Sequence, residues 1–568
     1  MDTTEQPRLA EQVLRARIAT TWPEAYALPL SLLGQILRFM AAVVISVVVF
    51  KLSGQAEHPL NAMKPGPYVT FVSITVPAVA AVVAAFALYR PWHALLVVLA
   101  LTPFWDAAYI GWYVGPVQVI LQTIFVLTIA VGAFTPSIVR LANSAYASYS
   151  GTGVRSIAST DIASARRGGF AAFRLAEVAV VGFLGIAVVS TLASHNVTLS
   201  ATDLLHGILE PIALAALVVY MRPSRRDLVF LVVALGLGIA IGTVFNLVQT
   251  LPTTHTFSAM QAARLYFARA SYYNVGLFAT AASTIIPAVV AALVARRALH
   301  LPWWGTALIL ATLALGLTGL FLSFSKSAWL GTAIAIVVVL GMILRTWRRR
   351  IALVLASLAV STLFIPWPAL LLQVAPAVNN GYRAVMTSLV GEQRFDSWNP
   401  ATLAGRGSLS ERYYAVDAAV RMALANPVLG VGLDQFGPNY LNPIYRPAAA
   451  QDVLDHAHSL FPEIAAELGI AAAALVFVIY AGALWAMLRV YRTARDQLTR
   501  VMSAGLAAAI VGWLVVATAF GCDIYRPTRE LSSDVVASVV ILGAAIALAR
   551  LVQSEKDDTR TQYRHHTV

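Results

Sequence analysis

The chain has 568 residues, of which 59% are hydrophobic and only 12% charged. Soluble domains carry roughly 25% charged residues, so this composition excludes a soluble globular protein and points to a polytopic membrane bundle. The net charge of +13 would favour nucleic acid as a partner in a soluble protein; here it reports orientation, because Arg and Lys collect in cytoplasmic loops, and no nucleic-acid partner is expected. Cys522 is the single cysteine, which excludes an internal disulfide and a multi-cysteine metal site.

The expected fold class is all-α, a polytopic integral membrane helical bundle of about 14 transmembrane helices. Residues 1–30 are mixed in charge and lack a small-residue cleavage site, so they read as a cytoplasmic segment and not as a secretory signal. Apolar runs able to span a hydrocarbon core then follow near 33–51, 68–89, 92–110, 116–138, 175–193, 203–221, 228–250, 274–295, 303–323, 328–346 and 351–373. These eleven runs fill 31–373. A polar stretch, 374–458, interrupts them. Three more runs, near 460–488, 501–520 and 534–552, lie within 459–553, and a polar tail predicted to be disordered occupies 554–568.

Basic residues place the loops. Arg8, Arg15 and Arg17 precede the first span; Arg140, Arg155, Arg166 and Arg167 follow the fourth; Arg222, Arg225 and Arg226 follow the sixth. Arg296 and Arg297, the run Arg348–Arg350, and Arg489, Arg492 and Arg495 follow the eighth, tenth and twelfth. All fall on one side if both termini are cytoplasmic, as the positive-inside rule requires. The long interruption is then extracytoplasmic, as are 253–272 and the Ser325-Lys326-Ser327 junction. Those outer segments carry Arg and Lys against the rule, which calls for an anionic ligand.

The interruption is too rich in apolar residues for a disordered tether, and loops of this length in compact domains are functional. Ser408 to Asn426 predicts a helix, with Ser408 or Ser410 at its N-cap, Glu411 in the first turn and Asn426-Pro427 as its stop. Tyr413, Val416, Val420 and Leu424 recur at helical spacing as its apolar face. Gly430-Val431-Gly432 makes a turn. The loop thus reads as a helical cap over the bundle, its apolar face against the membrane surface or the bundle rim.

His458 stands where the cap enters the next span, after Asp455 and His456 and before Ser459, Glu463 and Glu467. A histidine at that boundary fits either a general base working near neutral pH or a helix-capping interfacial residue. Arg guanidinium groups bind phosphate oxygens bidentately, so Arg-rich outer segments plus a histidine suit chemistry on a lipid-linked phosphate or diphosphate. His456 and His458 have the spacing of a strand face and no third ligand, so no metal site is read. Inside the sixth span, His206 and Glu210 lie four apart, as a helix-holding pair or a substrate contact. A transporter or flippase of a lipid-linked glycan or other anion is the alternative. Its charges belong near the bilayer midplane, with internal repeats; here they cluster at the outer face and no repeat is visible.

The motifs resemble one family. Asn426-Pro427-Val428-Leu429-Gly430-Val431-Gly432 resembles the P-x-x-G-x-G turn of the O-antigen ligase and polymerase superfamily. His458-Ser459, nine residues, then Gly469 resembles its ligase signature. Ser410-Glu411-Arg412-Tyr413-Tyr414, Arg269–Ala279 and Leu322–Gly331 resemble further segments, so the likeness runs from Arg264 to Leu475. Lys326 stands where the family usually has Arg, and Ala472 where it has Gly. The resemblance implies a membrane glycosyltransferase of the GT-C type. It would move a glycan from undecaprenyl diphosphate to an acceptor hydroxyl on a glycan or lipid, at the outer face of the bacterial inner membrane, without metal or other cofactor. His458 would be the general base, with Arg412 and Arg269 gripping the diphosphate. Arg264, Lys326 and Arg406 are further phosphate candidates. Asp455 either orients a histidine or caps the helix, and Tyr272 is a belt residue or part of a sugar site.

Overall fold

The computed structural model describes residues 81–101, 111–114, 117–120, 123, 125–135, 171–250, 275–323, 325–344, 346, 348, 408–448, 450, 453–519 and 533–566. The expected spans 33–51 and 351–373, the segment 253–272, the first part of the long interruption (374–407) and Cys522 lie outside the described residues.

The chain divides into two compact units. The first draws on residues 1–98, 109–112 and 120–165. Helices α1 (81–89), α2 (Pro91–Ala100) and α3 (Phe125–Thr135) are described in this part of the sequence. A Cβ on Gly132 of α3 would sit 2.2 Å from the Ala87 carbonyl oxygen, so α1 and α3 meet backbone to backbone. Two expected spans fall in this part of the sequence. In the run predicted as 92–110 the described helix is Pro91–Ala100, and 102–110 lie outside the described residues. The run predicted as 116–138 is corrected: it begins as a strand, β2 (Val117–Ile120), paired with β1 (Gly111–Val114), and the described residues are helical again at Thr123 and over Phe125–Thr135. Trp112, Tyr113, Val114, Val117, Val119 and Ile120 are aromatic or β-branched, types that favour a pleated ribbon.

The second unit holds the helices that build the site. They are α4 (Ala171–Ala193), α5 (Val197–Asp203), α6 (Glu210–Tyr220), α7 (Arg225–Thr250), α8 (Val275–Ala295), α9 (Trp303–Leu322) and α10 (Lys326–Ile343). After the long interruption come α11 (Ser408–Ala425), α12 (Phe436–Tyr440), α13 (Leu460–Leu468), α14 (Ile470–Thr493), α15 (Gln497–Ala519) and α16 (Ser533–His566). Among the described residues, eight helices are long and apolar enough to cross a membrane, and Pro91–Ala100, Phe125–Thr135 and Ser327–Ile343 are shorter apolar helices. The protein is a multi-pass, predominantly helical membrane protein.

The α8 and α15 helices form the centre of the bundle, and small residues bring helices close there. A Cβ on Gly505 would meet that of Ala291 at 2.3 Å, and one on Gly512 would lie 2.9 Å from the Ser283 carbonyl. Gly331 of α10 approaches the Gly512 carbonyl in the same way. Without a hydrophobic force between helices in lipid, such close approach and its dispersion contacts hold the bundle together.

Three further expectations are revised. The span predicted as 460–488 is two helices, α13 and α14, broken at Gly469, which takes a φ of +91°. The span predicted from 203 is preceded by α5 and passes through a π-helical turn, Leu204–Leu209. The tail from 554 is helical to His566 as part of α16, since no proline interrupts it and Glu, Lys, Arg and Gln favour helix. Arg225 pairs with Glu555 of that helix at 2.5 Å and with Asp496 at 3.6 Å.

Candidate functional site

The loop helix forms over Ser408–Ala425, as the sequence predicts, and the face it buries within the protein is the one opposite Tyr413 and Leu424. Tyr413 and Leu424 are 69% and 70% exposed, whereas Ala415, Ala418, Ala419 and Met422 are sealed in a cluster with Phe436, Tyr440, Ala457 and Ala466. The reason is steric. Alanine Cβ atoms let α11 lie close on α13, which Tyr and Leu would hold apart.

The two glycine motifs meet in space. At Gly430 (φ +66°) a Cβ would lie 2.2 Å from the Glu467 carbonyl carbon; at Gly469 a Cβ would lie 2.3 Å from the Val428 carbonyl oxygen. Backbone bonds stitch the contact: Val431 N–H to Ala466 O at 2.8 Å, Gly432 N–H to Glu467 O at 3.1 Å, and Ile470 N–H to Pro427 O at 3.0 Å. Each glycine therefore supplies both a left-handed φ and room for the opposing backbone. The end of α4 fastens the same junction. The Ser190 hydroxyl is within hydrogen-bond distance of Leu429 O (3.0 Å) and Glu467 O (3.1 Å), and the Ser200 hydroxyl of α5 bonds Leu433 O.

Glu467 then organises the turn beyond the glycines. Its carboxylate accepts from the Asp434 N–H at 3.1 Å and the Phe436 N–H at 2.9 Å, at the start of α12, where the helix dipole favours an anion. Burial lifts its carboxyl from 4.5 to about 7, against the amide hydrogen bonds of Phe436, Asp434 and Gln435 and the proximity of His456. Burial pushes the Asp434 carboxyl from 3.8 up to about 10, reinforced by Asp203, Glu467, Asp455 and Glu463. One carboxylate oxygen of Asp434 and one of Asp203 are buried with no hydrogen-bond partner among the described residues.

Beside this acidic turn lies a chain of three polar side chains. Asp455 Oδ1 is 2.6 Å from His456 Nδ1, and His456 Nε2 is 2.9 Å from His458 Nδ1. The rings lie 3.8 Å apart between centroids. His456 is buried, while Asp455 is 50% exposed. His458 takes a φ of +54°, a conformation that a side chain bearing Cβ rarely adopts, and the next residue, Ser459, bonds the Thr518 carbonyl of α15 at 2.9 Å. The i, i+2 spacing thus sets both rings on one side of an irregular segment.

Of the candidate residues, the structure brings Asp455 and His458 together through His456. The carboxylate contacts His456 and reaches His458 only through it. Arg412 lies half-buried near the start of α11. Lys326 is the first residue of α10. Arg264, Arg269, Tyr272 and Arg406 lie outside the described residues. The pair expected in the sixth span is present, with His206 Nδ1 3.1 Å from Glu210 Oε1 and both buried. The sequence reading missed Ser190, Ser200 and Asp434, whose contacts are distant in the chain, and gave His456 no role. The His456-Ala457-His458 spacing was the one available signal.

No curated protein matches the chain. Residues 311–477 match the family model described as O-antigen ligase. That match takes in α10, both glycine motifs and the histidine chain, and begins after Arg264, Arg269 and Tyr272. It supports a membrane glycan-transferring, ligase-type function, and over this segment the chain is similar to the O-antigen ligase family.

Proposed function

We propose that this protein transfers a glycan from undecaprenyl diphosphate to an acceptor hydroxyl at the outer face of the bacterial inner membrane. The observation that carries the reading is His458: partly buried, held in a left-handed backbone conformation, and with its Nδ1 2.9 Å from His456 Nε2. Its Nε2 takes the proton of the acceptor hydroxyl as that oxygen attacks the anomeric carbon. The bond from that carbon to the diphosphate breaks, and the electron pair leaves with the diphosphate. The proton then passes from His458 to solvent.

The diphosphate gains charge as it leaves, and cations held in place stabilise it more in the transition state than in the ground state. Arg412 and Arg269 are assigned this task, with Arg264, Arg406 and Lys326 as further contacts. Lys326 supplies charge but not the bidentate fork of an arginine. The buried acids at the glycine turn sit apart from this work and hold the backbone of the site.

The test uses purified protein, an undecaprenyl-diphosphate-linked glycan and a lipid A core acceptor, with release of undecaprenyl diphosphate as the readout. His458→Ala is expected to lower turnover by about 10²- to 10⁴-fold, the usual contribution of a general base, with unchanged thermal unfolding. Full turnover in that variant removes His458 from the chemistry. Movement of the lipid across vesicles without cleavage supports a flippase instead.

A further inference from the structure

We infer that Asp455 and His456 are positioning residues that set the tautomer of His458, so that its Nε2 carries the lone pair that takes the acceptor proton. This rests on the reading of His458 as general base.

The inference follows from counting protons along two short contacts. An ionised carboxylate only accepts, so the 2.6 Å contact with Asp455 places a proton on His456 Nδ1. A neutral His456 then has a lone pair on Nε2. At 2.9 Å, that atom accepts from His458 Nδ1–H. Neutral His458 with its proton on Nδ1 has its lone pair on Nε2, the nitrogen away from the contact. Without His456 as an acceptor, the proton is free to sit on either nitrogen of His458, and the base is present only part of the time. When His458 becomes imidazolium, the same bond strengthens, and the Asp455 charge supports it through the intervening ring. This is the logic of a carboxylate that orients a histidine, extended by one imidazole.

The surroundings hold the arrangement in place. His456 is buried, and Ala457 between the two histidines is sealed in the α11–α13 core. Gly437 lies so close that a Cβ there would be 3.1 Å from Asp455 Cα. Among the described residues, the titratable groups near this segment include Glu463 and Glu467 of α13 and Asp434 of the glycine turn.

The experiment is a pH–rate profile for release of undecaprenyl diphosphate by the full-length protein. Asp455→Asn changes a half-exposed side chain and is expected to fold. It should lower kcat by roughly 10²-fold with little change in KM for the donor, and move the acid limb of the profile to lower pH. His456→Gln keeps an acceptor for His458 Nδ1–H and should recover part of the rate that His456→Phe loses. A merely structural role would lower the amount of active protein without moving the limb. Wild-type kcat and an unmoved limb in both Asp455→Asn and His456→Phe, with His458→Ala inactive, overturn the inference and leave the general-base reading standing. If His456→Phe does not fold, an unmoved limb in Asp455→Asn alone overturns it. Full activity in His458→Ala overturns both together.

Discussion

Asp434 shows how one side chain sets the pH response of the site's backbone. Its ordinary value of 3.8 rises to about 10 in the folded chain, first through burial and then through neighbouring acids. Between those values the folded state holds a proton that the unfolded state has lost, so this group's contribution to stability falls as pH rises. Glu467 acts in the same direction between 4.5 and about 7. Asn at position 434 has no proton to lose and tolerates the left-handed φ of +59° found there. Asp434→Asn should therefore raise the thermal midpoint at pH 9 by several degrees and change it little at pH 4, flattening the pH dependence. Thermal unfolding in detergent at the two pH values checks this. A midpoint lowered equally at both would show that the carboxyl makes a bond that the amide cannot replace.

At the scale of elements, the decisive feature is the tight seating of α11 on α13. Helical spacing correctly marks Ser408–Ala425 as a helix with Glu411 in its first turn. The face that it marks, with Tyr413, Val420 and Leu424, is exposed in the fold, while close backbone approach buries the alanine face against α13. Met422 is fully buried and Leu424 is largely exposed. Met422→Ala should cost about 2–5 kcal/mol, the range for emptying a packed site, and Leu424→Ala should stay within about 0.5 kcal/mol. Limited proteolysis between residues 408 and 469 reads the difference: rapid cleavage is expected for the first variant and wild-type resistance for the second. Equal resistance in both would contradict the buried face. The break at Gly469 belongs to the same scale. The sequence shows the glycine, but only the Val428 carbonyl opposite it explains why no side chain fits.

For the whole molecule, the bundle follows from composition, and the charge pattern predicts an orientation with both termini cytoplasmic. Arg226 is exposed after α6, and Ala448 is exposed beyond α12. In a Cys522→Ser background, a cysteine at Ala448 should react with an impermeant maleimide in intact spheroplasts, and one at Arg226 only after permeabilisation. The reverse pattern would invert the topology and move the histidine chain to the cytoplasmic side. The long interruption, the two glycine motifs and the His458 boundary were all legible in the sequence, because each is a local departure from apolar periodicity. The first two hundred residues showed no motif, yet Ser190 and Ser200 fasten the glycine turn. A serine on an apolar helix carries no local sign of a carbonyl more than 200 residues away.

By itself the sequence determined a membrane-embedded helical protein with a polar segment rich in basic residues and ending at a histidine, because hydropathy and charge are properties of residue types. The tertiary structure decided what those types do together. It turned His456 from a spacer into the link between Asp455 and His458, made Gly430 and Gly469 two sides of one backbone contact, and buried Asp434 among other acids. Such outcomes depend on distances of about 3 Å between groups far apart in the chain or turned together by an irregular backbone, and hydrogen bonds act only over that range.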